Sequence, residues 1–83
     1  MLYTHICHGT CSRKIEVELD KDIIQSVKFY GGCDGNQKGI CALVAGRNVD
    51  EVIHDLKGIR CGFKMTSCPD QLALALEEAK DAQ

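Results

Sequence analysis

The sequence predicts an α+β fold: a small three-stranded antiparallel sheet (β-β-β) followed by three helices packed on one of its faces. Apolar and polar residues alternate before the double glycine at residues 31 and 32, which is the period of a half-buried strand. After those glycines the apolar residues recur at helical spacing. Because the strands precede the helices instead of alternating with them, the helices are expected over one face of an antiparallel sheet.

Three strands are expected before the double glycine. Isoleucine, valine and leucine alternate with charged residues along residues 14–19, and the polar residues 20–22 form a turn. The return strand ends near Tyr30 and presents Val27 and Phe29 on one face. Leu2–Ile6 is expected to add an edge strand, which completes the sheet.

The three helices are predicted from their capping residues. Asn36 is the expected N-cap of the first helix, and Asn48 begins the second with a capping box that includes Glu51. The third begins with Pro69 at its first position, which makes Cys68 the expected N-cap. The first two helices are expected to end at Gly46 and Gly58. The predicted buried faces of the three helices consist, in chain order, of Ile40, Leu43 and Val44, of Val52, Ile53 and Leu56, and of Leu72, Ala75, Leu76 and Ala79.

Composition limits the classes of function. With 83 residues and a net charge of −2, the chain is expected to form one domain, over residues 1–83, with a thin core. There is no basic stripe of the kind that binds nucleic acid, and no apolar run approaches the roughly 20 residues of a membrane span. The N-terminus does not resemble a signal peptide, so a cytoplasmic protein without membrane or nucleic-acid partners is expected. In that reducing compartment, the 6 cysteines indicate a metal site or redox chemistry more than a disulfide framework.

Four cysteines stand at element boundaries, where loops can converge at one end of the sheet. Cys11 precedes a strand, Cys33 follows the double glycine, Cys61 lies in a glycine-flanked loop, and Cys68 stands at the start of the last helix. The helix dipole favours the thiolate of Cys68, and four thiolates match a tetrahedral zinc site or an iron–sulfur cluster. None of these spacings is C-x-x-C, which weakens a thioredoxin-like interpretation.

Other potential ligands are secondary candidates. Cys7 and His8 in CHGTC form a Cys-His-x-x-Cys pattern with the next cysteine, although a frayed N-terminal segment is the simpler interpretation. Asp34 in GGCDG suits a metal loop better than a phosphate cradle. Cys41 falls inside the first helix and is expected to pack, and His5 is expected on the edge strand. No Ser-His-Asp pattern is evident, so no catalytic residue is predicted.

The motif TSCPD at residues 66–70 marks a resemblance to a known family. The chain resembles the small stand-alone TSCPD domain proteins in the segments GTCSRKIEVEL, VKFYGGCDGNQKGI, LVAG, VDEVI, LKGIRCG and TSCPDQLALALEEA, which span nearly its whole length. That family is related to a C-terminal domain of ribonucleotide reductases, chiefly the cobalamin-dependent kind. The resemblance places the characteristic cysteines at Cys11, Cys33, Cys61 and Cys68, and leaves Cys7 and Cys41 outside the pattern.

A more distant likeness is to the IscU/NifU-type iron–sulfur scaffolds. In those scaffolds a cysteine, a hairpin, a glycine–cysteine turn, helices and a late cysteine follow one another, as CSRKIEVEL, FYGGCDG, LVAGRNVDEVI and IRC do here. The likeness implies an IscU/NifU-like fold. The chain departs from that pattern at Arg13, where the scaffolds usually have an aspartate.

Three functional hypotheses follow. The first is a metal-binding accessory module, with zinc as the cofactor or an iron–sulfur cluster as the alternative, associated with a ribonucleotide reductase in deoxynucleotide synthesis. The second is an IscU-like cluster scaffold or carrier, whose partner is another redox or cluster protein. The third is a dithiol redox donor to a reductase that uses Cys61 and Cys68. An 83-residue chain has no room for a complete reductase, so no autonomous reductase activity is expected.

Overall fold

The computed structural model has the predicted α+β architecture. Its strands are β1 (Leu2–Ile6), β2 (Lys14–Asp20) and β3 (Ile23–Tyr30), and its helices are α1 (Asp34–Val44), α2 (Val49–Leu56) and α3 (Cys68–Ala82). The structure describes residues 1–9, 12–32, 34–60, 62 and 66–83, and of Asp34 only the backbone. Within these ranges, no helix is long and apolar enough to span a bilayer.

The sheet has the order β1-β2-β3, with both neighbouring pairs antiparallel. The register of β2 and β3 shifts by one residue, since Glu18 pairs with Ser26 but Leu19 pairs with Ile24. This bulge at Gln25 changes the alternation of faces, because two residues of one strand then oppose one of the other. Ile24 and Val27 are therefore both buried although their spacing is odd.

The helices cover one face of the sheet, as predicted. α3 packs on β1 and β2 and also against α2, while α1 packs against β3. The apolar side chains of β2 and α3 meet in this layer, and their burial is the main favourable term for a domain of this size. The buried apolar residues are Cys7, Ile15, Val17, Leu19, Ile24, Val27, Val44, Val49, Val52, Leu72, Ala73, Ala75, Leu76 and Ala79.

Helix α1 differs from the prediction at its start and on its outer face. It begins at Asp34, so Asn36 lies inside the helix and is not the N-cap. Gln37 and Val44, one heptad apart, are buried and set the inward direction, whereas Leu43 is 74% exposed. The prediction that Leu43 belongs to the buried face is wrong because its position is about 100° around the helix from Val44.

The connection from α1 to α2 extends the hydrogen bonding of β3. The Gly46 N–H donates to the Ile24 carbonyl at 2.7 Å, and the Ile24 N–H donates to the Arg47 carbonyl at 3.0 Å. Asn48 is the N-cap of α2, since its side-chain oxygen accepts from the N–H groups of Asp50 and Glu51 at 2.9 and 3.3 Å. The predicted N-cap of α2 is thus confirmed.

Candidate functional site

The N-terminus of α3 is capped by Ser67 and not by the predicted Cys68. The Ser67 Oγ accepts from the Asp70 N–H at 3.1 Å and donates to the carbonyl of Ile59 at 2.6 Å. A hydroxyl caps better than a thiol because its oxygen is the stronger acceptor. Cys68 is therefore the first helical residue, and Pro69 follows it in the first turn, one position later than predicted.

The side chains of Thr66 and Asp70 fasten this helix start to the end of α2. One carboxylate oxygen of Asp70 accepts from the Gly58 N–H at 2.7 Å, and the other accepts from the Thr66 hydroxyl. Asp70 is buried, so these bonds replace the water that its charge would otherwise require. Threonine, serine and aspartate of the motif thus serve the local architecture.

The sulfur of Cys68 lies against a buried polar pair. The Ser12 Oγ is 2.9 Å from the Cys68 Sγ. The Gln37 Nε2 donates to the Ser12 Oγ at 2.8 Å and to the Gly31 carbonyl at 2.6 Å. Ser12 and Gln37 are only 3% and 6% exposed. Neither residue could be predicted from the sequence, because a lone serine and a helical glutamine are ordinary surface residues.

Of the four predicted metal ligands, Cys68 is the one that the structure describes; Cys11, Cys33 and Cys61 lie outside the described residues. The side chain of Asp34 lies outside them as well. Among the side chains that are described, no group of three or more histidine, cysteine or acidic residues is arranged to hold a metal ion. The predicted four-cysteine ligand set therefore stays a prediction.

Cys7 is part of the folded core and not of a frayed end. Its backbone N–H donates to the Arg13 carbonyl at 2.9 Å, and its side chain is buried among the core residues. Burial, with a smaller contribution from the charge of Cys68, raises the pKa of the Cys7 thiol to about 11. Cys7 is therefore a neutral thiol at neutral pH and must lose a tightly held proton to bind a metal. His8, the other secondary candidate in this segment, is exposed.

Cys41 packs partly buried against the core, which confirms the expectation for it. Burial raises the pKa of its thiol, and the backbone hydrogen bond that opposes this effect is weaker. Cys41 thus has the environment of a structural cysteine.

His5 lies on β1 as predicted, but it is buried and forms part of a hydrogen-bond network that was not predicted. Its Nδ1 is 3.0 Å from the Glu78 carboxylate and its Nε2 is 2.8 Å from the Gln71 side-chain oxygen. The Gln71 Nε2 donates in turn to the Thr66 hydroxyl at 3.0 Å. The network therefore connects β1 to the segment that precedes Cys68. The strand pairing indicates this burial, because His5 lies opposite the core residue Ile15 and opposite residues of paired strands share one face of the sheet.

Glu78 is ionised more readily in this network than in water. Burial alone would raise the pKa of Glu78, but hydrogen bonds from His5 and Tyr3 and the charge of His5 outweigh it and hold the pKa below its ordinary value. The Tyr3 hydroxyl donates to the same carboxylate oxygen at 3.0 Å, and this bond raises the pKa of Tyr3. Glu78 is thus a carboxylate that anchors β1 to α3.

Comparison with known proteins gives one family match. The sequence model described as TSCPD domain matches residues 1–80. The match includes β1, β2, β3, α1 and α2 and ends two residues before the end of α3 at Ala82. No curated protein and no solved structure gives a significant match to the chain.

Proposed function

The chain belongs to the TSCPD domain family, and on that premise we propose that it is a cysteine-ligated metal-binding module. The proposed ligands are the thiolates of Cys11, Cys33, Cys61 and Cys68. Zinc is the proposed metal, because four cysteine sulfurs form the closed tetrahedral set of a structural zinc site. An iron–sulfur cluster is the alternative for the same donors.

One observation supports this proposal most directly: described neighbours of all three other cysteines are hydrogen-bonded around the start of α3. Ser12, which follows Cys11 in the chain, is 2.9 Å from the Cys68 sulfur. Gly31, two residues before Cys33, is joined to Ser12 through Gln37. The segment that precedes Cys61 is also hydrogen-bonded to the start of α3.

There the carbonyl of Ile59, two residues before Cys61, accepts from the Ser67 hydroxyl at 2.6 Å. Three segments that are distant in sequence and each border a cysteine therefore meet near Cys68. Segments brought together in this way are what a ligand set from separate loops requires, because each loop then contributes one donor.

The chemistry of Cys68 agrees with a ligand role. It is the first residue of a 15-residue helix, where the positive end of the macrodipole stabilises the thiolate that binds a metal. Cys7 and Cys41, in contrast, have burial-raised pKa values and remain thiols. We therefore assign metal binding to Cys68 and its three counterparts in the family pattern, and packing to Cys7 and Cys41.

The proposed setting is ribonucleotide reduction. The resemblance of the sequence to a C-terminal domain of ribonucleotide reductases supports an accessory role beside such an enzyme, in which the chain supplies a metal-stabilised domain and not the reaction itself. We expect no nucleotide reduction by the isolated chain with a dithiol and cobalamin. Turnover under those conditions would overturn the accessory assignment.

Elemental analysis tests the proposal. Protein purified without oxygen and without added metal is expected to contain about one zinc per chain, as a closed four-cysteine site requires. Cys68→Ser is expected to abolish the bound metal, whereas Cys41→Ser, the same substitution at a cysteine assigned to packing, keeps it. Iron with matching sulfide would favour the cluster scaffold instead. No metal, with all thiols titratable, would contradict metal binding and leave the dithiol redox donor.

A further inference from the structure

We propose that Ser12 and Gln37 are positioning residues of the metal site, which hold a hydrogen-bond donor on the sulfur of Cys68. The inference rests on the proposed function and adds to it two residues that are not themselves ligands. It starts from the short distances that join the Gln37 amide, the Ser12 hydroxyl and the Cys68 sulfur in one line of polar contacts.

The direction of the hydrogen bonds follows from the chemistry of the groups. The carbonyl of Gly31 can only accept, so the group of Gln37 that lies 2.6 Å from it is the amide nitrogen. That nitrogen carries a second hydrogen, and the Ser12 Oγ lies 2.8 Å from it. The carbonyl of Gly31, the residue that follows β3, therefore orients the Gln37 amide, and the amide makes the Ser12 oxygen an acceptor.

The Ser12 hydroxyl carries one hydrogen of its own, so it can donate as well as accept. Its oxygen is 2.9 Å from the Cys68 Sγ, and a thiolate sulfur can only accept. With Cys68 as a thiolate, the bond must therefore run from the Ser12 hydroxyl to the sulfur. The amide on one side and the sulfur on the other hold the hydroxyl in this orientation.

Burial increases the effect of this bond. Ser12 is 3% exposed and Gln37 is 6% exposed, so little water competes for their hydrogen bonds. A hydrogen bond to an ionised group is stronger than a neutral one, and low polarity strengthens it further. Groups that orient a metal ligand in this way commonly contribute about 10- to 100-fold to metal affinity.

The test uses Co²⁺ as the probe, since cobalt bound to sulfur has charge-transfer absorption that reports on the sulfur. Ser12→Ala is expected to weaken Co²⁺ binding about tenfold or more, in competition with a chelator. It is also expected to shift the sulfur-to-cobalt band to lower energy, because a sulfur without its hydrogen-bond donor gives up electron density more easily. Ser12→Thr keeps the hydroxyl and should restore both values towards those of the unchanged chain.

Two further variants separate positioning from folding. Gln37→Met keeps the volume but releases the Ser12 hydroxyl, so it should reproduce part of the band shift. Ser26→Ala, at an exposed serine of β3, is the matched control and should change neither value. The melting temperature of each metal-free variant is recorded, so that unfolded protein is not mistaken for lost affinity.

The outcomes are distinct. If folded Ser12→Ala binds Co²⁺ with unchanged affinity and an unchanged band, the positioning role is overturned while metal binding stands. If affinity falls equally in Ser12→Ala and Ser12→Thr with no band shift, Ser12 has only a packing role and the inference is also overturned. If the folded, unchanged chain binds no Co²⁺, the proposed function fails, and the positioning role fails with it.

Discussion

At the scale of single residues, the motif of residues 66–70 contains three polar residues that hold the start of α3 in place and one cysteine that is the proposed metal ligand. Ser67 caps α3, and Asp70 joins Thr66 to the backbone of Gly58. Cys68 follows the cap directly, so its sulfur has a fixed position at the helix start, 2.9 Å from Ser12. Proline fits beside it because the first turn of a helix does not need its N–H. The polar residues of the motif thus fix the cysteine in place.

Glu78 provides a prediction on pH at this scale. Its pKa in the fold lies below the ordinary value of 4.5, so the folded state binds fewer protons than the unfolded state around that pH. The stabilisation is complete above pH 4.5 and is lost as the pH falls through the lowered pKa. Thermal melts of the unchanged chain and of Glu78→Gln should therefore differ at neutral pH and converge at acid pH.

Tyr3→Phe controls for the cause of this effect. It removes one of the hydrogen bonds that lower the pKa of Glu78 while it keeps the aromatic ring. The loss of stability should then begin at a higher pH, closer to 4.5. A melting difference between the unchanged chain and Glu78→Gln that stays constant from neutral to acid pH would contradict the assignment.

At the scale of secondary structure, the ends of the elements determine the path of the chain. Gly46 has a φ of 83°, a left-handed conformation that ends the α1 region and lets its N–H reach the carbonyl of Ile24. Glycine adopts this conformation without the penalty of a side chain. The connection from α1 to α2 therefore lies along the edge of β3.

Two identical substitutions test this role. Gly46→Ala should destabilise the fold by about 1–2 kcal/mol, the cost of a left-handed conformation for a residue with a Cβ. Gly39→Ala, inside α1, should stabilise it by about 0.5–1 kcal/mol, since alanine is the better helix former. No neighbour lies within 4 Å of a Cβ at either glycine, so steric clashes do not distort the comparison. Urea unfolding measures both, and equal effects of the two changes would contradict the argument.

At the scale of the whole molecule, one apolar layer between the sheet and the helices holds the fold together. Leu76 of α3 is fully buried in it, whereas Leu43 of α1 is 74% exposed. A domain of this size has a free energy of unfolding of only about 5–15 kcal/mol, so single core residues carry a large share.

The same substitution at these two leucines measures that share. Leu76→Ala should cost about 2–5 kcal/mol, the loss of buried surface plus the cavity that remains. Leu43→Ala should change stability by less than about 0.5 kcal/mol, as is typical of an exposed site. Denaturant midpoints compare the two variants, and a large loss at Leu43 would show that this side chain is buried in solution.

Much of the fold could be predicted from the sequence because its signals are local. The alternation in β2, the cap at Asn48 and the stop at Gly46 each depend on residues close together in the chain. The predicted caps at Asn36 and Cys68 placed the first helical residue three positions and one position too late, since α1 begins at Asp34 and α3 at Cys68. Such errors arise because several polar residues near a helix start can serve as its cap. The bulge at Gln25 has no comparable local signal.

The sequence by itself determined the α+β class, the order of the elements, the family and the cysteines worth testing. Only the tertiary structure decided which polar groups surround Cys68, that Cys7 is a core thiol, and that His5 bridges β1 and α3. The physical reason is sequence distance. Ser12 and Cys68 are 56 residues apart, and His5 and Glu78 are 73 apart. Hydrogen bonds across such distances depend on how the layers pack, and local patterns contain no information about that packing.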